Sequence, residues 1–302
     1  CLVQQNAWTN AEQQFRLALE LAERQHNEHY IRLITHNLAL PPGFRGDFGE
    51  ALRWFKRIFR TDQPDKQLPQ EAIGHLNVAR LHLYRGEFDE TEKHLERSLE
   101  LCQLYNLKSL RGEIFEAYGN FYRDRNDFSH AAEFYERSRK AYDEAEVNLA
   151  TRELDEERAK FYLLRGDPAK ARGLLENLLA ARLKIGNEIL LSAARLGLCR
   201  VRLAQGETEN LAAETGEILA FYHEQNLFYD EALASLLLAQ IHFAAGERKK
   251  MFPPLQRALD LTARFDYEHW LRGEIKKNPQ MFADEEVLEK LPLDLREASR
   301  ES

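Results

Sequence analysis

Three groups of residues in this 302-residue chain have the types and spacing from which chemistry could be built. His26 and His29 stand at i, i+3, which sets two imidazoles on one face of a helix end. No third ligand stands near them in sequence, so no metal is expected there. The run "ELDEERAK" at 153–160 concentrates carboxylates. It reads either as an acid–base group or as a charged helix face, and the charged face is the preferred reading. His82 and His242 occupy one and the same place relative to a turn that recurs along the chain, and are expected to be buried structural histidines. The aromatic runs "FYRDRNDF" and "RWFKRIF" read as core rather than as a cofactor box.

Motifs that carry established chemistries are missing. The sequence contains no GxxxxGK[ST], HExxH, GxSxG or GxGxxG. Cys1, Cys102 and Cys199 are far apart and form no CxxC, so neither a zinc site nor a disulfide framework is suggested. The expectation is no enzyme, no cofactor and no metal. A formal charge of −8 argues against a nucleic-acid surface, which needs a dense Lys/Arg patch. No apolar run approaches the ~20 residues of a membrane span, and there is no signal peptide. A cytoplasmic location is expected. The chain starts with Cys1 rather than Met and begins inside a repeat, so it reads as a fragment of a longer protein.

The elements behind these residues follow from one spacing. "RGDF" at 45–48 returns as "RGEF" at 85–88 and "RNDF" at 125–128, then fades to "RGDP" at 165–168, "QGET" at 205–208 and "AGER" at 245–248. Each copy lies 40 residues after the last. Counted from Gly46, a small residue stands seven positions upstream (Ala39), and Phe48, Ala51, Phe55 and Ile58 follow. Ala51, Phe55 and Ile58 share one helix face. Shifts of 40 bring Ala79, Gly119, Ala159, Cys199 and Ala239 to the small slot. One shift upstream places Asn6 at the turn mark, followed by Trp8, Ala11, Phe15 and Ala18.

Each unit is therefore a helix, a turn at Gly or Asn in the left-handed region, and a second helix packed back on the first. The acid after the turn (Asp47, Glu87, Asp127, Asp167, Glu207, Glu247) lies at the positive end of the second helix. Asp167–Pro168 is the clearest cap. A second mark at Asn106, Gly186, Asn226 and Asp266, with His26 in the same slot, ends each second helix. Hairpins repeated in this way stack into a solenoid in which each unit packs on its neighbours.

These slots resemble the tetratricopeptide repeat, and "RGDFGEALRWFKRIF" and "RNDFSHAAEFYERSRKAY" match it closely. The usual unit is ~34 residues; the longer unit here is similar to the sensor region of MalT-type regulators, large bacterial ATP-dependent transcription activators of the signal-transduction ATPase class. The stretch "LTARFDYEHWLRGEIKKNP" resembles the end of arrays attached to a bacterial transcriptional activator domain. Kinesin light chains and bacterial peptide receptors use long repeats of this kind too. The resemblance implies an all-α, right-handed solenoid over residues 1–277, about seven hairpins with the first incomplete; Pro279 and Pro292, in an acidic stretch outside the repeat, point to short helices and a loose tail over 278–302.

In tetratricopeptide solenoids the first helices line the concave groove. One position after the small slot stand Leu40, Arg80, Asn120, Lys160, Arg200 and Gln240. Five of the six are polar, and Arg80, Asn120, Lys160, Arg200 and Gln240 form with Asn77 a candidate polar ladder for binding; Asn37 stands in the slot of Asn77 one repeat earlier. Glu113, Glu116, Glu153 and Glu156 fall on neighbouring positions, where they either neutralise the cations or share in a ligand site. The carboxylate clamp of chaperone-binding members requires Lys where Glu116 stands beside Asn120, so a chaperone C-terminus is not expected. The implied function is a non-catalytic module of a bacterial signalling or transcription regulator. It would bind an effector, a peptide or another domain of its own chain, and touch neither nucleic acid nor membrane. A constitutive interaction scaffold is the alternative.

Three departures carry expectations. Pro41 and Pro42 should kink or shorten the first helix of their hairpin. Arg158 and Arg248 occupy slots that are normally apolar, and the later repeats are degenerate.

Overall fold

The computed structural model describes residues 2–58, 69–148, 152–293, 295 and 296, and these contain sixteen α-helices and no strand. The first helix, α1 (Leu2–Arg24), runs unbroken through Asn6, so the turn expected there does not form. Six hairpins follow: α2 (Glu28–Arg45) with α3 (Phe48–Ile58), α4 (Pro69–Tyr84) with α5 (Phe88–Leu104), α6 (Lys108–Asp124) with α7 (Phe128–Glu144), α8 (Leu154–Leu164) with α9 (Pro168–Ile185), α10 (Glu188–Ala204) with α11 (Leu211–Gln225), and α12 (Phe228–Ala244) with α13 (Arg248–Phe265). The chain closes with α14 (Glu268–Lys277), α15 (Pro279–Phe282) and α16 (Glu285–Lys290).

The six inner turn marks from Gly46 to Gly246 are left-handed. Gly46, Gly86, Gly166, Gly206 and Gly246 have φ between 71° and 92°, and Asn126 has 61°. The outer marks behave alike: His26, Asn106, Gly186, Asn226 and Asp266 all have positive φ, and Glu146 joins them at φ 53° on the same period. At every mark but Gly186 the next residue's N–H closes back on a carbonyl five residues earlier, as in Asp127 to Tyr122 and Asp167 to Tyr162 (both 2.9 Å); at Gly186 its own N–H bonds the Arg182 carbonyl at 3.0 Å. These bonds satisfy carbonyls that the helix end leaves open.

The acid after the turn divides by length. Asp47, Asp127 and Asp167 cap, accepting from the N–H of Glu50 (2.9 Å), His130 (3.1 Å) and Lys170 (3.1 Å). Glu87 and Glu247 make no cap bond. Their extra methylene carries the carboxylate back to the preceding helix, where Glu87 pairs with His82 and Glu247 with His242 Nδ1 (2.8 Å). The repeated histidine is therefore the partner of a repeated glutamate.

The chain divides into two compact units. The first comprises Cys1–Gln67, Tyr84–Gly86 and Leu219–Ser302. In it, Leu19, Ala22, Ile34 and Leu38 pack with Phe15 and Trp54. Phe48 stacks on Tyr84 (centroids 4.7 Å apart) and meets Tyr229 and Tyr267 at 5.3 and 5.4 Å. Pro41 and Pro42 do not shorten α2, which runs on to Arg45. Both rings are buried, their fixed φ suits a helix, and the Pro42 carbonyl accepts from Asp47 N–H at 2.8 Å. After 278 the expected short helices form as α15 and α16, and residues 297–302, the end of the expected loose tail, lie outside the described residues. Met281, Phe282, Val287, Leu291 and Leu295 are buried against Met251, Leu255 and Leu271. Arg248, in its unexpected slot, pairs with Asp284.

The second unit comprises Leu68–Leu83 and Glu87–Ile218. Its cores repeat. Ala72, Leu76, Ala79, Leu95 and Phe121 form one cluster, Ala131, Tyr135, Tyr142, Leu154 and Phe161 the next, and Ala159, Ala171, Leu175, Leu178, Ala194 and Val201 a third. Two polar residues in apolar slots have a common reason. Ser98 donates to Ala72 O (2.7 Å) and Ser138 to Gly112 O (2.8 Å), each tying its helix to the first helix of the hairpin. Arg158 is accommodated by ion pairs to Glu136 (2.8 Å) and Asp155 (3.3 Å).

Candidate binding face on the first helices

Within the second unit the candidate residues Asn77 and Arg80 lie on α4, Asn120 on α6, Lys160 on α8 and Arg200 on α10; Arg80, Asn120, Lys160 and Arg200 share one register of the repeat, and Asn77 stands three residues before it. Arg80 reaches to α6 and lies 3.5 Å from both Glu113 and Glu116. Glu113 also takes Arg152 at 2.8 Å, and Glu116 accepts from Tyr142 Oη at 3.1 Å. Asn120 accepts from Tyr135 Oη (2.8 Å) and Arg123 (3.3 Å). Arg123 pairs across to Glu157 on α8, which in turn holds Lys160 at 2.6 Å. The ladder is thus knit by acids, as one of the two sequence readings allowed.

The electrostatics follow burial. Glu116 is buried, which pushes its carboxyl upward; Arg80 pulls the other way, and Glu153 and Glu157 add to the rise. Burial also opposes ionisation of Glu157, but Lys160 and Arg123 outweigh it and hold that carboxyl at about 2. Glu157 is therefore a fixed anion. Glu156, placed with the ladder by sequence, instead pairs with Arg182 at 2.9 Å. Arg182 is fully buried and also donates to the carbonyls of Leu190 (2.8 Å) and Arg152 (3.0 Å).

The sequence missed Arg123, Tyr135, Tyr142, Glu157 and Arg182. The tyrosines read as core, and their hydroxyls point no pattern at the ladder. The "ELDEERAK" run is a charged face only in part, because Glu157 is buried. Among the ladder cations, Arg200 stands apart. It is half-buried on α10, and no ion-pair partner for it occurs among the described residues. Arg80 finds two acids on the next first helix, whereas Lys160 remains exposed and turns to its own helix. In the first unit, Leu40 is exposed on α2, and Gln240 on α12 lies 3.5 Å from Glu274.

A face of this kind presents guanidinium, ammonium and amide groups over a packed helical scaffold. It can bind anionic or amide-bearing groups by hydrogen bonds, but it shows no nucleophile paired with a base. Among the described residues no helix is long and apolar enough to cross a membrane.

Helical hairpins with a small residue, a Gly turn and an aromatic in fixed slots define an all-α solenoid of tetratricopeptide type. The family model described as the MalT-like TPR region matches residues 2–268, and the chain belongs to that family. The crystal structure of a Rap protein complexed with competence and sporulation factor matches at a TM-score of 0.68 and 14% identity, over 99% of this chain and 87% of that one. BtubC (BKLC) from P. vanneervenii matches at a TM-score of 0.47 and 15% identity, over 85% of this chain and 92% of that one. A Podosopora anserina kinesin light chain with nearly identical TPR-like repeats matches at 0.45 and 16%, over 66% and 98%. At 14% identity the likeness to the Rap structure is one of fold. A search of curated protein sequences returns no match.

Proposed function

We propose that this chain is the non-catalytic repeat module of a bacterial signalling or transcription regulator. Its second unit binds an acidic effector or peptide segment through the face carrying Asn77, Arg80, Asn120, Lys160 and Arg200. The module is cytoplasmic, and it couples that event to other domains of its protein. Gln240 lies in the first unit beside Glu274 and has no part in this reading.

Membership of the MalT-like TPR region supports the regulator class. The Rap structure, of the same fold, is a complex with competence and sporulation factor, which supports a ligand-bound use of such repeats. The observation that carries the reading is the contrast between Arg80, paired with two acids, and Arg200, half-buried with no ionic partner among the described residues. A guanidinium held on a rigid helix with no acid opposite is suited to a ligand's carboxylate or phosphate. Binding that spans several first helices would bias the packing between repeats, which is how a ligand with differential affinity shifts a population.

The test is effector response in the full-length protein. Lys160→Ala/Arg200→Ala should fold with an unchanged helical circular-dichroism spectrum and lose the response. A wild-type response at wild-type effector concentration would remove the face from the function. Partner retention that is indifferent to effector in both proteins would instead support a constitutive scaffold.

A further inference from the structure

The α4–α5 hairpin carries a cluster of ligating side chains that the proposed binding face does not use. His82 stands on α4, and Glu90 and His94 stand at i, i+4 on α5, one above the other on one helix face. One ligand atom from each of these three residues lies within 4.8 Å of the other two. His94 Nε2 is 3.9 Å from Glu90 Oε2. An ion with bonds of about 2.0–2.1 Å to each can bridge that gap.

The surroundings orient both imidazoles. Glu87 holds His82 at Nδ1, which leaves Nε2 with the free lone pair. His94 Nδ1 lies 2.8 Å from His75 Nδ1, so His94 can donate there and present Nε2 towards Glu90. Histidines that ligate metals regularly give their other ring N–H to such a partner, which fixes tautomer and ring direction. An open recess of about 260 Å³, lined by His75, Lys93, His94 and Arg97 among others, adjoins the cluster and gives a route of entry.

The repeat supplies its own control. The His–Glu pair recurs as His242 with Glu247, so that pair alone is a structural device of this fold. At the places of Glu90 and His94, however, the later hairpin carries Lys250 and Pro254, and at the place of His75 it carries Ser235. Only α4–α5 adds a carboxylate and a second imidazole to the pair. The nearest competitor is Lys93, 3.3 Å from Glu90. It is an exposed side chain in a weak surface pair that an ion can displace.

We propose that His82, Glu90 and His94 form a site for a divalent transition-metal ion of the zinc class, completed by water, which clamps α4 to α5. Two imidazoles and one carboxylate suit zinc, and the soft-ligand and all-oxygen alternatives are disfavoured by the donor set.

The experiment uses the whole chain, stripped with chelator and dialysed. It is titrated with zinc chloride by calorimetry, and with cobalt(II) while visible absorption is followed. Wild type should take up one equivalent of zinc and give the intense visible bands of four-coordinate cobalt. Glu90→Ala removes an exposed ligand with little risk to folding and should abolish both signals, as should His94→Gln. Glu87→Gln, which reaches the site through His82, should weaken zinc binding about 10–100-fold. His242→Gln should change nothing. If His94→Gln fails to fold by circular dichroism, Glu90→Ala decides alone. Failure of the wild type to bind one equivalent overturns the proposal. So does binding that survives Glu90→Ala, or that disappears instead with His26→Ala/His29→Ala.

Discussion

Tyr267 donates its hydroxyl to the backbone carbonyl of Gly46, 2.7 Å away and 221 residues earlier in the chain. The bond is buried, and around it Phe48, Tyr84, Tyr229 and Tyr267 form one aromatic cluster within the first unit. Gly46 has φ 92°, and a Cβ there would meet the Tyr229 backbone nitrogen at 2.7 Å, so this turn tolerates only glycine. Tyr267→Phe keeps the ring and removes one of two hydrogen bonds to that carbonyl, which still accepts from Phe48 N–H at 2.9 Å. It should cost about 0.5–1.5 kcal/mol, the range for one lost intramolecular hydrogen bond. Equilibrium urea unfolding measures this, and an unchanged midpoint would mean that water replaces the hydroxyl.

The small slot is tightest at Gly119, where a Cβ would lie 2.5 Å from the Tyr135 ring. Gly119→Ala should destabilise by about 1–3 kcal/mol through overpacking, and Ala131→Leu, at a fully buried position, by a similar amount. Combining Gly119→Ala with Tyr135→Leu should recover part of the loss, since the two side chains compete for one volume. Additive losses in that double variant would sink the overpacking account. Phe128 is only half-buried, so Phe128→Ala should fall short of the ~3–5 kcal/mol of a fully buried ring.

Glu157 sets a pH dependence of definite sign. Its folded-state carboxyl sits at about 2 against an ordinary value of 4.5. Below 4.5 the unfolded chain binds the proton more readily. The Glu157 contribution to stability is therefore complete above that value and is lost as pH falls towards 2. Urea midpoints recorded from about pH 6 downwards should drop more steeply for wild type than for Glu157→Gln. Parallel curves would show that Arg123 and Lys160 do not hold the anion. Glu116, raised by burial, runs the other way. Its contribution is present below 4.5 and is lost as pH rises through its folded value.

How far sequence carries in this fold depends on what is periodic. The turn marks were legible because Gly and Asn enter the left-handed region readily, and six of six inner marks are left-handed. Glu146 escaped notice because glutamate gives no such sign, although it sits on the same period. Pro41 and Pro42 did not shorten α2, because the rule behind that expectation takes no account of two buried rings near a helix end. Likewise the segment after 278 breaks the period, and only its burial against Met251 and Leu255 reveals that it covers the last hairpin. For the binding face, spacing placed Arg80, Asn120 and Lys160 on a common register. It could not foresee that Glu157, rather than Glu153 or Glu156, would take the cations, because one residue along a helix turns the side chain by about 100°. The link between Tyr267 and Gly46 has no periodic signal at all.

Side-chain length at the acid after each turn leads to a last expectation. Asp47 caps α3 through Glu50 N–H at 2.9 Å, whereas Glu247 reaches back to His242 and makes no cap. An aspartate carboxylate lies one methylene closer to its own backbone, within reach of the third N–H of the helix it begins. A glutamate overshoots and finds the preceding helix instead. Asp47→Ala should therefore cost about 0.5–2 kcal/mol of stability, and Asp47→Glu should recover little of it despite keeping the charge, because the macrodipole attraction alone is the smaller part. Glu247→Ala leaves α13 no less capped than before and should move the urea midpoint less than Asp47→Ala does. Glu247→Asp should gain a cap while giving up the His242 contact. Measured together at one pH with unchanged m-values, these four variants separate capping from charge. An Asp47→Glu protein as stable as wild type would show that charge, not reach, selects the residue after the turn.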